Sequence, residues 1–102
     1  MPRWIPLAQV ADCPPGESLE LLAEGRIVAL FNVNGTFYAL DGVCPHQGGP
    51  LGKGNLQVCL VQCPWHGCEF DVRDGQSQIN PQMKQPCFGI RIESGTVWVD
   101  LE

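Results

Sequence analysis

Turn signals recur along this chain at intervals too short for any long helix, and that spacing limits its fold more than any other feature. Asn34-Gly35 separates the apolar-rich stretches 27–33 and 36–40, and Asn-Gly is the strongest two-residue hairpin signal. Ser94-Gly95 joins 88–93 to 96–101, and Asp74-Gly75 follows Phe70-Asp71-Val72. Gly54-Asn55 precedes 56–62, which reads as one strand, and Asp41-Gly42 closes 37–40. Between these turns Val, Ile, Phe and Leu alternate with period two, so that Ile90 and Ile92, or Val97 and Val99, share a strand face. No segment of ten residues or more carries a helical period. Pro14-Pro15-Gly16 ends 7–12, the one stretch able to form a single helical turn. The spacing predicts an all-β domain of about eight short antiparallel strands, a small sandwich or barrel.

The length of 102 residues is that of one ordinary domain, with no room for a second core, so residues 1–102 are expected to fold as a unit. Apolar residues make up 44%, enough for a conventional core rather than a disordered or disulfide-only chain. Six Lys/Arg stand against eleven Asp/Glu, a net charge of −5, which argues against a nucleic-acid or anionic-membrane partner. Residues 1–6 hold no apolar signal-peptide region, and the longest strongly apolar run, 27–31, is far too short to span a bilayer. A cytoplasmic location is expected. In that reducing compartment the six cysteines point to metal binding before disulfides.

Two segments carry the chemistry. The first reads Cys44-Pro45-His46-Gln47-Gly48-Gly49-Pro50-Leu51, and the second Cys63-Pro64-Trp65-His66-Gly67. Each offers one soft sulfur and one imidazole from a loop, over about 44–51 and 63–68, at one end of the sheet. Proline after each cysteine holds that cysteine extended, and the glycines let backbone N–H groups come close to a bound group. Two Cys and two His admit a tetrahedral zinc ion, or a cluster with both cysteines on one iron and both histidines on the other. Zinc sites of this composition keep like ligands together in sequence, whereas here each loop mixes the types. The mixed order, the two prolines and the glycine-rich first loop favour two irons.

Cys44-x-His46 followed by Cys63-x-x-His66, with the run from Gln47 to Leu51 and from Trp65 to Val72, resembles the Rieske family signature. The chain is similar along its whole length to the Rieske ferredoxins of bacterial ring-hydroxylating dioxygenase systems. That resemblance implies the Rieske fold, small antiparallel sheets with two cluster-binding loops at one end, and one [2Fe–2S] cluster. It implies that Cys44 and Cys63 bind the inner iron, and His46 and His66 the outer, exposed one through Nδ1. Clamped, high-potential members carry a further cysteine in each loop, where this chain has Gly49 and Trp65. They also place a serine and a tyrosine hydroxyl near the sulfurs, where this chain has Cys68 and Phe70. Fewer donors to sulfur leave the added electron less stabilised, which implies a potential near the lower end of the Rieske range of about −150 to +300 mV.

The function implied is that of a soluble, monomeric electron carrier, not itself catalytic, passing one electron from a flavin-dependent reductase to a terminal oxygenase. The small subunit of an assimilatory nitrite reductase is the alternative, and a zinc-stabilised binding module a further one. Cys13, Cys59, Cys68 and Cys87 read as small buried apolar residues, with a weak S–H bond from Cys68 toward the cluster as the lesser reading. Trp65 reads as a cover for its loop, and Trp98 lies on the strand face opposite Val97 and Val99. Pro81 and Pro86 bracket a loop, 82–85, that either packs beside the cluster or merely connects. Glu69, Asp71 and Asp74 read as a solvated turn.

Overall fold

The computed structural model describes residues 3–43, 50–63, 69–78 and 82–101. Among these residues nine strands form, in chain order: β1 Trp4–Gln9, β2 Ser18–Ala23, β3 Arg26–Val33, β4 Thr36–Asp41, β5 Asn55–Gln57, β6 Leu60–Gln62, β7 Glu69–Asp71, β8 Cys87–Glu93 and β9 Thr96–Asp100. Two 3₁₀ turns, Val10–Asp12 and Leu51–Lys53, interrupt them. A six-stranded sheet runs β1-β9-β8-β4-β3-β2, a three-stranded one β5-β6-β7, and every pairing is antiparallel. The all-β, near-barrel fold expected from the turn spacing is the fold found. No helix among the described residues is long and apolar enough to cross a membrane.

The run at 27–31 is continuous rather than alternating because β3 is covered on both faces from Val28 onward. Val28, Leu30, Phe37 and Ala39 face Val97, Val99, Leu101, Ile5 and Leu7, which closes the large sheet on itself. Ala29, Phe31 and Leu40 face the other way and meet Leu51, Val61, Cys63, Phe70 and Val72. This second cluster fastens the small sheet to the large one. The seam between β4 and β8 is short, Ala39 against Phe88 and Leu40 against Cys87.

Three hairpins turn through pairs with positive φ at both residues: Glu24-Gly25 (49°, 82°), Asn34-Gly35 (53°, 93°) and Ser94-Gly95 (51°, 77°). Such turns match the right-handed twist of the strands they join. The stretch 56–62 is not the single strand its composition suggests. It folds into β5 and β6, which pair Gln57 with Leu60 around a turn at Val58 and Cys59. Gly54-Asn55 makes no hairpin either. Gly54 ends the turn Leu51–Lys53 by donating its N–H to the Leu51 carbonyl at 3.0 Å.

Candidate metal centre

The first Cys/His loop has a closed base. Val43 and Pro50 form an antiparallel bridge, and the Leu51 N–H donates to the Gly42 carbonyl at 3.0 Å. Beyond the base, Leu51 is fully buried and the turn Leu51–Lys53 lies flat across β2. Gly52 allows that approach, because a Cβ there would stand 2.6 Å from the Leu19 carbonyl oxygen and 2.7 Å from the Glu20 Cα. On the entry side the Asp41 carboxylate accepts the Val43 N–H at 3.1 Å, and the Gly42 N–H donates to the Ile27 carbonyl at 2.9 Å.

The second loop leaves β6 and returns into β7, with Gln62 paired to Glu69 at its base and Val61 to Phe70 behind. Cys63 follows β6 directly and is 1% exposed, in the same apolar cluster as Leu51 and Phe70. Asn55, Gln62 and Glu69 stand side by side at this end of the small sheet. The chain returning from the first loop therefore enters the β5-β6-β7 sheet at the end where the second loop has its base. A buried thiol at such a base is a desolvated, soft donor, suited to iron on the protein side of a cluster.

A third segment joins them. Gln85 is 1% exposed and donates both hydrogens of its amide, to the Asp41 carbonyl at 2.5 Å and the Val43 carbonyl at 2.7 Å. Its own N–H donates to the Gly75 carbonyl at 2.7 Å, and the Asp41 N–H donates to Pro86 at 2.9 Å. Gly75, at φ +80°, lies so close to the Gln85 carbonyl that no side chain fits there. Thus the 82–85 loop packs against the entry of the first Cys/His loop.

A family profile described as Rieske [2Fe-2S] domain matches residues 3–95. The chain belongs to the Rieske family. A ferredoxin component of the naphthalene 1,2-dioxygenase system of Pseudomonas aeruginosa is 31% identical over 100 residues, 97% of this chain and 96% of that one. A chain in the complex of reduced oxygenase and oxidised ferredoxin of carbazole 1,9a-dioxygenase superposes with a TM-score of 0.89 at 27% identity, covering 97% of this chain and 94% of that one. A Mycobacterium tuberculosis protein named as an NADH-dependent nitrite reductase small subunit gives a TM-score of 0.91 at 24% identity, covering 100% and 97%, a likeness of fold alone. Membership brings with it one Rieske-type [2Fe–2S] cluster as cofactor.

Of the four expected ligands, Cys63 is the one within the described residues, and it is buried directly after β6. Cys44, His46 and His66 lie outside the described residues, as do Gly49, Trp65, Cys68 and Pro81. Cys13 is fully buried as expected, and burial pushes its thiol up from the ordinary range, with Glu17 adding to the shift. Two other cysteines depart from the expectation. Cys59 is half-buried at its hairpin turn, and Cys87 is exposed because its side chain leaves β8 on the outer face.

Asp71 corrects the solvated-turn reading. It is buried, with Arg73 Nε donating to Oδ1 at 3.0 Å and Nη2 to Oδ2 at 2.7 Å. Hydrogen bonding from Arg73 holds its carboxyl below the usual carboxylate range, against the opposing effect of burial. The 82–85 loop has two open readings in the sequence, but residue type singles out neither Gln85 within it nor Gly52. Neither belongs to a chemical motif, and their roles come from neighbours distant in the chain.

Proposed function

We propose that Cys44, His46, Cys63 and His66 hold the Rieske [2Fe–2S] cluster of a single domain spanning residues 1–102. The protein then serves as a one-electron carrier that accepts from a flavin-dependent reductase and delivers to a terminal oxygenase. The observation that carries this reading is the near end-to-end similarity to the ferredoxin component of a dioxygenase system, in a chain of the same length. The donor set fits. One cysteine is buried at the base of its loop, and the chain returning from the first loop enters β5 at the end of the small sheet where the second loop begins and ends.

When bound, the cluster supplies a one-electron couple that a chain of ordinary side chains lacks. The residues around it hold the loops and exclude water. Leu51, Val61 and Phe70 surround Cys63 with apolar surface, and the Val43–Pro50 bridge closes the first loop. Phe70, fully buried, offers no hydroxyl to a cluster sulfur. That supports a midpoint potential toward the lower end of the Rieske range, about −150 mV.

The nitrite reductase small subunit is supported by fold likeness alone and remains the second reading. Protein assembled with iron and sulfide is expected to be red-brown and, reduced with dithionite, to give an EPR spectrum with average g below 2. A colourless protein binding stoichiometric zinc in place of iron would sink the cluster assignment. Reduction by a purified dioxygenase-system flavoprotein, followed by oxidation by its oxygenase, tests the direction of transfer. Tight copurification with a large reductase subunit, with no exchange with such flavoproteins, supports the second reading.

A further inference from the structure

We propose that Gln85 is a positioning residue that ties the two cluster-binding loops together without a covalent bond. This rests on the assignment of Cys44 and Cys63 as ligands. On one side, its amide hydrogens go to the carbonyls of Asp41 and Val43, and Val43 is the residue before Cys44. On the other side, its backbone runs along the segment that returns from the second loop. The Gln85 N–H donates to Gly75, Gln76 bridges Lys84, and the Ser77 N–H donates to Met83 at 3.1 Å. That segment in turn pairs with β7, through a Phe70–Ser77 bridge and the Gln78 N–H donating to Glu69 at 2.9 Å. Glu69 is the first residue of β7 after the second loop.

One buried side chain thus connects the entry of the first loop to the exit of the second. The chain has Gly49 and Trp65 where a disulfide clamps the loops of high-potential members, so this tie acts where no covalent one is available. Its strength comes from burial. Removing both donors takes the two part-buried bonds from the Asp41 and Val43 carbonyls and leaves the end of a fully buried side chain with nothing to hold the turn. Displacing the Asp41–Val43 turn would carry the Cys44 backbone with it.

The test compares Gln85→Met, which keeps length and apolar bulk but has no donors, with Asn32→Leu in the cluster-loaded protein. Asn32 is a matched control. It is 3% exposed, donates to the Cys13 carbonyl at 2.7 Å and accepts the Gly35 N–H at 2.7 Å, near the other end of β3. Gln85→Met is expected to speed amide exchange at Gly42 and Val43, and cluster loss to a chelator, by about tenfold, the equivalent of one buried hydrogen bond. It is also expected to shift the g values of the reduced protein. Asn32→Leu is expected to lower the melting temperature while leaving those readouts unchanged.

Wild-type exchange, g values and cluster retention in Gln85→Met would overturn the proposal. The same changes in Asn32→Leu would do so too, since they would then report general loosening. If Gln85→Met does not fold, Gln85→Asn, which keeps the amide on a shorter arm, is expected to give the same changes to a smaller degree, and wild-type behaviour there overturns the proposal. A wild-type protein without a Rieske spectrum refutes the ligand assignment instead, and exchange at Gly42 and Val43 still decides whether Gln85 braces the turn.

Discussion

Arg73 reaches back over a single residue to grip both carboxylate oxygens of Asp71, at 3.0 and 2.7 Å, and its backbone N–H adds a third bond to Oδ1 at 2.9 Å. The carboxylate is largely enclosed while the guanidinium stays exposed, so the pair works as a local staple at the end of β7. It shapes the turn that carries Gly75, whose N–H donates to the Asp71 carbonyl at 2.7 Å.

The staple predicts an acid dependence. Its folded-state carboxyl lies below the ordinary range, so its contribution is complete above the unfolded value of about 3.9 and drains away as pH falls through the folded value. Asp71→Asn is expected to cost about 1 kcal/mol at neutral pH, a modest figure because the Arg73 side chain is solvent-screened. Melting both proteins from pH 7 to pH 3 checks this. The gap between them should narrow on acidification, and a gap independent of pH would show that the charge is not what stabilises.

Cys63 and Cys87 make opposite predictions, though both are cysteines at a strand end. Cys63→Ser is expected to abolish the visible absorption and the reduced EPR signal of the assembled protein, because the buried site loses its soft donor. Cys87→Ser on the outer face of β8 is expected to leave both intact. Iron and sulfide analysis of the two purified variants gives the answer. Retention of a wild-type cluster in Cys63→Ser would remove Cys63 from the ligand set.

Gly52 tests how the return of the first loop is anchored. Two of the three contacts that a Cβ would make there fall on Glu20 backbone and the third on the Leu19 carbonyl, so none yields by rotating a side chain. Gly52→Ala is expected to cost about 1–3 kcal/mol through overpacking. The cost should appear as a lower melting temperature and reduced cluster occupancy after reconstitution. Full stability and occupancy would mean that Leu51–Lys53 shifts freely on β2.

Much of this was legible in the chain, for reasons that the structure makes specific. Asn34-Gly35 and Ser94-Gly95 were readable as hairpins because their residue types tolerate positive φ, and both adopt it. Glu24-Gly25 turns the same way but carries a weaker signal, since glutamate seldom takes that conformation. The mixed Cys/His order identified the family because ligand chemistry is written in residue type. The 82–85 loop could be read as packing or merely connecting, but the part played by Gln85 could not be read. Its role depends on Asp41 and Val43, more than forty residues earlier, meeting it across the β4–β8 seam. Asp71 was misread for the opposite reason. Its partner is two residues away, but burial of the carboxylate comes from packing that no local pattern records.

The turn between β5 and β6 is where local sequence and fold disagree most openly, and it supplies the last prediction. Val58 stands at φ +57°, a left-handed conformation in which a β-branched side chain crowds its own backbone. Its side chain is 79% exposed, so burial returns little to offset the strain. The conformation is imposed by the pairing of Gln57 with Leu60, which leaves two residues to reverse the chain. Val58→Gly relieves the crowding, at the cost of a more flexible unfolded chain. A net gain of about 0.5–1 kcal/mol is expected, visible as a melting temperature higher by roughly 2–8 °C. Because the turn lies at the end of the small sheet away from Gln62 and Glu69, the reduction potential and g values should not move. A lower melting temperature would mean that Val58 makes contacts worth more than its strain, and a shifted potential would place this turn in communication with the cluster loops.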